Sequence, residues 1–184
     1  MDRPSARVTV LEGAADATGL RFAVVVSRFN SHVTEPLLDG AVDALLRAGA
    51  TANDVVVLRV PGSWELCGAA ARAIDTGRFD AVIALGCLIK GDTIHFDLIA
   101  AQTAGGLASL ERERGVPVAF GVLTTDTLEQ AIDRAGAKLG NKGAEAAHAA
   151  VEQARLYQAL ATLGAAPANA ASKSAKKKTR PRRK

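Results

Sequence analysis

Four short apolar runs constrain this 184-residue chain more than any other feature; each is continuous, and each precedes a stretch of helical spacing. They span 20–27, 55–60, 81–87 and 118–124. A run without polar/apolar alternation fits a strand covered on both faces, as in a parallel sheet. After the first run, Leu37, Leu38, Ala41, Val42, Leu45 and Leu46 recur at three- and four-residue intervals until Ala48-Gly49 closes the helix. Ser63 can cap a second helix reaching about Thr76, and a third runs from about His95 to Arg114, closed by Gly115-Val116-Pro117. Asp126-Thr127-Leu128-Glu129 has the form of a capping box and opens a helix ending near Gly136. An Ala-rich helix over about 144–163 is the last. Strands alternating with helices predict a parallel sheet with helices on both faces, an α/β/α sandwich. The pattern does not encode strand order; a flavodoxin-like order is expected.

Charge divides the chain further. The 23 Lys and Arg residues slightly outnumber the 19 Asp and Glu. Eight of those cations, and no acid, fall in 165–184, which leaves the rest with fifteen cations against nineteen acids, a net −4. A nucleic-acid or acidic partner is therefore a question for the tail alone. The tail has no apolar periodicity and is expected to be disordered, either a solvated solubility aid or an electrostatic handle. The remaining divisions are an N-terminal arm (1–19), whose residues 8–11 could form a strand in need of a partner, and a body (20–164). Cys67 and Cys87 sit in no CxxC or Cys/His pattern, which argues against a disulfide framework or a structural zinc site. The first dozen residues hold no apolar secretory core, and no run approaches the ~20 apolar residues of a membrane helix, so a cytoplasmic protein is expected.

In open α/β sheets, ligands bind beyond the carboxyl ends of the strands. Here those ends read Ser27-Arg28-Phe29-Asn30, Val60-Pro61-Gly62-Ser63-Trp64-Glu65, Gly86-Cys87-Leu88-Ile89-Lys90-Gly91-Asp92-Thr93-Ile94-His95-Phe96 and Thr124-Thr125-Asp126. No GxGxxG or GxxxxGK[ST] string supports a dinucleotide or P-loop site. Phe29 and Trp64 could stack on a flat heterocycle or cover core; for Trp64, at a helix start, packing down is the simpler role. Glu65 could accept from a polyol or favour a helix dipole. The Lys90–Thr93 turn before a helix offers N–H groups and a hydroxyl to a phosphate, though Thr93 could equally be a plain cap. His95, two residues on, has the chemistry of a proton shuttle near neutral pH. His32, His148, Arg134 and Lys142 read as ordinary surface or packing residues, and both cysteines as buried thiols.

Taken together, these strings resemble the 6,7-dimethyl-8-ribityllumazine synthase family of riboflavin biosynthesis. The resemblance extends through Phe120-Gly121-Val122-Leu123-Thr124-Thr125, Glu129-Gln130-Ala131-Ile132-Asp133-Arg134-Ala135-Gly136 and Gly140-Asn141-Lys142-Gly143, and covers about 20–163. It implies a flavodoxin-like fold with a four-stranded parallel sheet. It also implies a transferase that condenses 5-amino-6-(D-ribitylamino)uracil with 3,4-dihydroxy-2-butanone 4-phosphate, releasing phosphate and water, with no metal or organic cofactor. By position, Phe29 would stack on the pyrimidine, Ser63, Trp64 and Glu65 would hold the ribityl chain, and Cys87, Leu88 and Ile89 would bind the pyrimidine edge through backbone. Asp92 and Thr93 would hold the phosphate and His95 would move protons. Phe120, Arg134 and Lys142 would come from a neighbouring subunit, Arg134 on the phosphate and Lys142 on the heterocycle side.

The resemblance further implies pentamers, with residues 8–11 joining a neighbour's sheet; some members stop at five or ten subunits and others form sixty-subunit capsids. The 136–143 stretch lacks the extra residues of capsid-incompetent members, so a capsid is expected to be allowed. Trp64, Ser27 and Cys87 stand where the family often has Phe or Tyr, Gly, and Thr.

Overall fold

The structure, a computed structural model, describes residues 8–164; the basic tail and the first seven residues of the arm lie outside it. Strands β1 (Phe22–Ser27), β2 (Val55–Val60), β3 (Ala81–Ile89) and β4 (Val118–Thr125) form one sheet in the order β2-β1-β3-β4. All three pairings are parallel. Helices are α1 (Ser31–Arg47), α2 (Leu66–Asp75), α3 (His95–Arg114), α4 (Leu128–Arg134) and α5 (Lys142–Gly164). This is the expected three-layer, flavodoxin-like sandwich.

The two inner strands explain the continuous apolar runs. Phe22, Val24 and Val26 of β1, with Ile83, Leu85 and Cys87 of β3, face a core shared with α1 and α5. Ala23, Val25, Val82 and Ala84 face the opposite core, with Leu66 and Ala70 of α2 and Leu107 of α3. Each Val, Leu, Ile or Phe among them contributes roughly 1.5–3 kcal/mol by leaving water, each Ala about one methyl's worth. The edge strands differ from expectation. β2 buries only Val60 fully and β4 leaves Phe120 exposed, because an edge strand has a neighbour on one side only.

Helix starts also depart from the sequence reading. α1 begins at Ser31, six residues before its apolar periodicity, and carries Pro36 in its second turn. The cap of α4 is Thr127, not Asp126. Its hydroxyl accepts the Gln130 N–H at 3.2 Å, while the Gln130 side-chain carbonyl accepts the Asp126 N–H at 3.0 Å. Ser63 opens a single 3-10 turn, Ser63–Glu65, and α2 proper begins at Leu66. Residues 8–11 form no strand within the single chain; Val8 and Val10 are exposed. Among the described residues no helix is long and apolar enough to cross a membrane.

Candidate active site

The carboxyl end of the sheet carries a cavity of about 540 Å³, lined by residues from three strand ends and the start of α3. Strand β1 delivers Phe29. The chain past Ser27 keeps pairing with the end of β2: the Arg28 N–H donates to the Val60 carbonyl at 2.8 Å and the Phe29 N–H to the Pro61 carbonyl at 3.0 Å. That pairing sets Phe29 beside the Gly62-Ser63-Trp64 turn, with both aromatic rings on the cavity wall. Phe29 is 68% exposed and Trp64 58%, so neither covers core; the packing role expected for Trp64 is wrong. Two large aromatic surfaces left facing water at a concave site are suited to a flat apolar ring.

Asn30, which sequence reasoning had not singled out, turns the chain from β1 into α1. Its φ of 58° is the one positive value at a non-glycine among the described residues. Asparagine tolerates this left-handed region better than most residues. The side chain does not cap α1. It reaches to the neighbouring strand instead, and its amide donates to the Cys87 carbonyl at 3.0 Å. The signal for it was the residue type itself, an Asn between a buried strand and a helix.

Strand β3 delivers Leu88 and Ile89, both lining the cavity. Cys87 does not line it. Its side chain follows the strand's alternation into the α1/α5 core, 1% exposed. Burial pushes the thiol up to about 11, so no thiolate forms there near neutral pH. Gly86 lets Ser63 close in: a Cβ at Gly86 would lie 2.8 Å from the Ser63 hydroxyl oxygen.

The segment after β3 leads through Gly91 and Thr93, both lining the cavity, to His95 at the start of α3. Ile94 occupies the cap position and no side chain caps the helix, so Thr93 is not a cap and the first N–H groups lack a side-chain acceptor. His95 is exposed on the cavity wall beside Phe96 and Ile99. Asp92 and Glu65 line neither this cavity nor the next. Glu65 turns back on its own turn, where its carboxylate accepts the Gly62 N–H at 2.9 Å.

Phe120, Arg134 and Lys142 fall in a separate cavity of about 380 Å³ along β4. Arg134 closes α4 and donates to the Gln130 carbonyl at 2.9 Å. Lys142 opens α5 because Asn141 caps it. The Asn141 side-chain oxygen accepts the N–H groups of Gly143 and Ala144 at 2.9 and 3.1 Å, and its amide donates to the Pro36 carbonyl at 2.8 Å. Gly143 is required because a methyl there would land on the Leu37 carbonyl. The Lys142 ammonium pairs with Glu145 at 2.6 Å. Glu145 also lines this cavity and was missed, although its i, i+3 spacing to Lys142 was legible.

Neither cavity holds a full set of groups. The first has His95, aromatic rings and open helix N–H groups, but no Lys or Arg on its walls; the second has Arg134 and Lys142, but no His. Among the described residues no three His, Cys, Asp or Glu side chains gather as they would around a metal ion.

Residues 19–158 match the family described as 6,7-dimethyl-8-ribityllumazine synthase, a span that includes both cavities. The chain belongs to this family. A relative of that name from Chlorobaculum tepidum is 49% identical over 154 residues, 84% of this chain and 99% of the relative. Another, from Anaeromyxobacter dehalogenans, is 54% identical over 154 residues, 84% of this chain and 95% of the relative. The lumazine synthase match ends before the tail, and the basic residues of 165–184 lie beyond it.

Proposed function

We propose that this chain carries out lumazine synthesis in riboflavin biosynthesis, condensing 5-amino-6-(D-ribitylamino)uracil with 3,4-dihydroxy-2-butanone 4-phosphate. The observation that carries the reading is the split between the two cavities in a chain of this family. Half of the chemistry lies on each, so the cavity at Phe29 and His95 of one copy meets the cavity at Arg134 and Lys142 of the next.

Phe29 stacks on the pyrimidine, Ser63 and Trp64 hold the ribityl chain, and the backbone of Leu88 and Ile89 meets the pyrimidine edge. The phosphate sits at the N-terminus of α3, by Thr93, where free N–H groups point at it, and Arg134 of the adjoining copy completes its binding. Asp92 can contribute only its N–H there, since its carboxylate would repel the anion. Lys142 and Phe120 close the heterocycle side.

The amine of the pyrimidine attacks the ketone, and loss of water gives an imine. A proton leaves the adjacent carbon, phosphate departs, and the second amine closes the ring with loss of another water. Each step moves protons without net redox change, so the reaction needs no cofactor. His95 is the group placed to carry those protons. Orientation of two bound substrates supplies much of the acceleration.

The assembly we propose is a pentamer, with residues 8–11 pairing to a neighbour and a capsid of pentamers allowed, and the compartment is the cytoplasm. The eight cations of the tail would then be presented forty to a pentamer, attracting nucleic acid or another polyanion. The deciding experiment is an assay of purified protein with both substrates. Lumazine formation well above the spontaneous rate is expected; a rate equal to the spontaneous one would leave only a binding function.

A further inference from the structure

Behind Trp64 the structure leaves a third, smaller cavity of about 240 Å³, between the Ser63–Glu65 turn with the start of α2 and helix α3, with Cys67, Gln102, Thr103 and Gly106 on its walls. Just past the turn, on α2 rather than on the turn itself, the Cys67 thiol donates to the Thr103 carbonyl at 3.5 Å. One bond ties the turn to α3: the Thr103 hydroxyl, 1% exposed, donates to the Ser63 carbonyl at 3.2 Å. Among the described residues no other side-chain hydrogen bond joins the turn to this helix. A buried hydroxyl needs a partner, and this one finds it across the gap between two elements rather than on its own helix.

Both elements line the main cavity. Ser63 and Trp64 stand on one, and His95, Phe96 and Ile99 on the other. Thr103 lies eight residues beyond His95 on the same helix, about 12 Å along its axis, and does not line the main cavity. It therefore acts on the site only through the spacing of its walls.

We propose that Thr103 is a positioning residue for the pyrimidine substrate: its hydroxyl holds the Ser63–Trp64 turn at the separation from α3 that the ribityl chain requires. This rests on the assignment of lumazine synthesis above. The phosphate substrate binds at the far end of the wall, by Thr93, and does not depend on the turn.

Steady-state kinetics on the full chain test this with Thr103→Val, Thr103→Ala and Thr103→Ser. Loss of the hydroxyl in the Val and Ala variants raises KM for the ribitylaminopyrimidine about three- to tenfold, the value of one hydrogen bond, with KM for the phosphate substrate within about twofold. Thr103→Ser, which keeps the hydroxyl, restores wild-type values. Unchanged pyrimidine KM in the Val and Ala variants overturns the proposal, as does an equal rise for both substrates. Failure of both variants to fold, measured by circular dichroism, also overturns it, because Thr103 would then serve stability alone. A wild-type chain that forms no lumazine would instead overturn the assignment of the reaction.

Discussion

The side-chain amide of Asn30 donates to the main-chain carbonyl of Cys87, 57 residues away, and so joins the exit of β1 to the last residues of β3. The bond ties Asn30, a residue of the cavity wall, to the adjacent strand of the sheet. It also holds Asn30 in its left-handed conformation.

Two substitutions separate these roles. Asn30→Gly keeps the backbone conformation and loses the bond. Asn30→Ala loses both and adds about 1 kcal/mol of backbone cost. The Ala variant is expected to melt below the Gly variant, and both should bind the pyrimidine more weakly than wild type. Differential scanning calorimetry and KM measurements check the order; equal melting temperatures would count against the backbone argument.

His95→Ala should lower kcat by about 10²-fold or more, the usual value of a positioned proton-transfer group. Arg134→Ala should chiefly raise KM for the phosphate substrate. Because the two residues lie in separate cavities of one chain, mixing the two variants, each strongly impaired when the phosphate substrate is held well below saturation, should restore activity at that concentration after co-assembly. Random pairing leaves about a quarter of the junctions with both intact faces, since each partner is drawn independently from an equal mixture. Activity of the mixture that is no greater than the sum of the two variants would refute a site shared between copies.

Cys87 sets an alkaline limit. Burial raises its thiol from 9.0 to about 11, so the unfolded chain loses this proton at lower pH than the folded one. Stability contributed by the protonated thiol is complete below about pH 9 and falls as pH climbs toward about 11. Cys87→Ala should flatten that decline. Denaturant midpoints measured from pH 8 to 11 for both chains test it, and parallel curves would assign the decline to other groups.

Deleting 165–184 should leave lumazine formation unchanged and abolish low-salt binding to a labelled single-stranded RNA. With the tail present, the logarithm of affinity should fall with the logarithm of salt at a slope of about −0.7 per phosphate contacted. Fluorescence anisotropy across a salt series measures both. Equal binding by the two chains would reject the tail as the polyanion site.

What the sequence made legible follows from burial. The inner runs and α3 stand close to where periodicity put them because their side chains are covered and Gly115 stops the helix. The edge strands read alike but are not, since composition cannot tell one hydrogen-bonded neighbour from two. Cys87 shares parity with Ile83 and Leu85, so its inward direction was available from alternation alone. The partition of Phe29 and Arg134 between two cavities was not available from spacing, because it depends on where the folded sheet and helices set each residue. Thr103 carried no motif, because its bond to Ser63 exists only once α3 packs against the turn.

Helix α5 begins with Lys142 at a cavity and ends at Gly164, 23 residues in all and about 34 Å long. Along that length it leaves the cavity, and Arg155 donates to the Asp16 and Thr18 carbonyls that precede β1. An enzyme built this way has a natural attachment point: a fluorophore or an affinity handle fixed on the last turn of that helix sits a full helix length from Lys142.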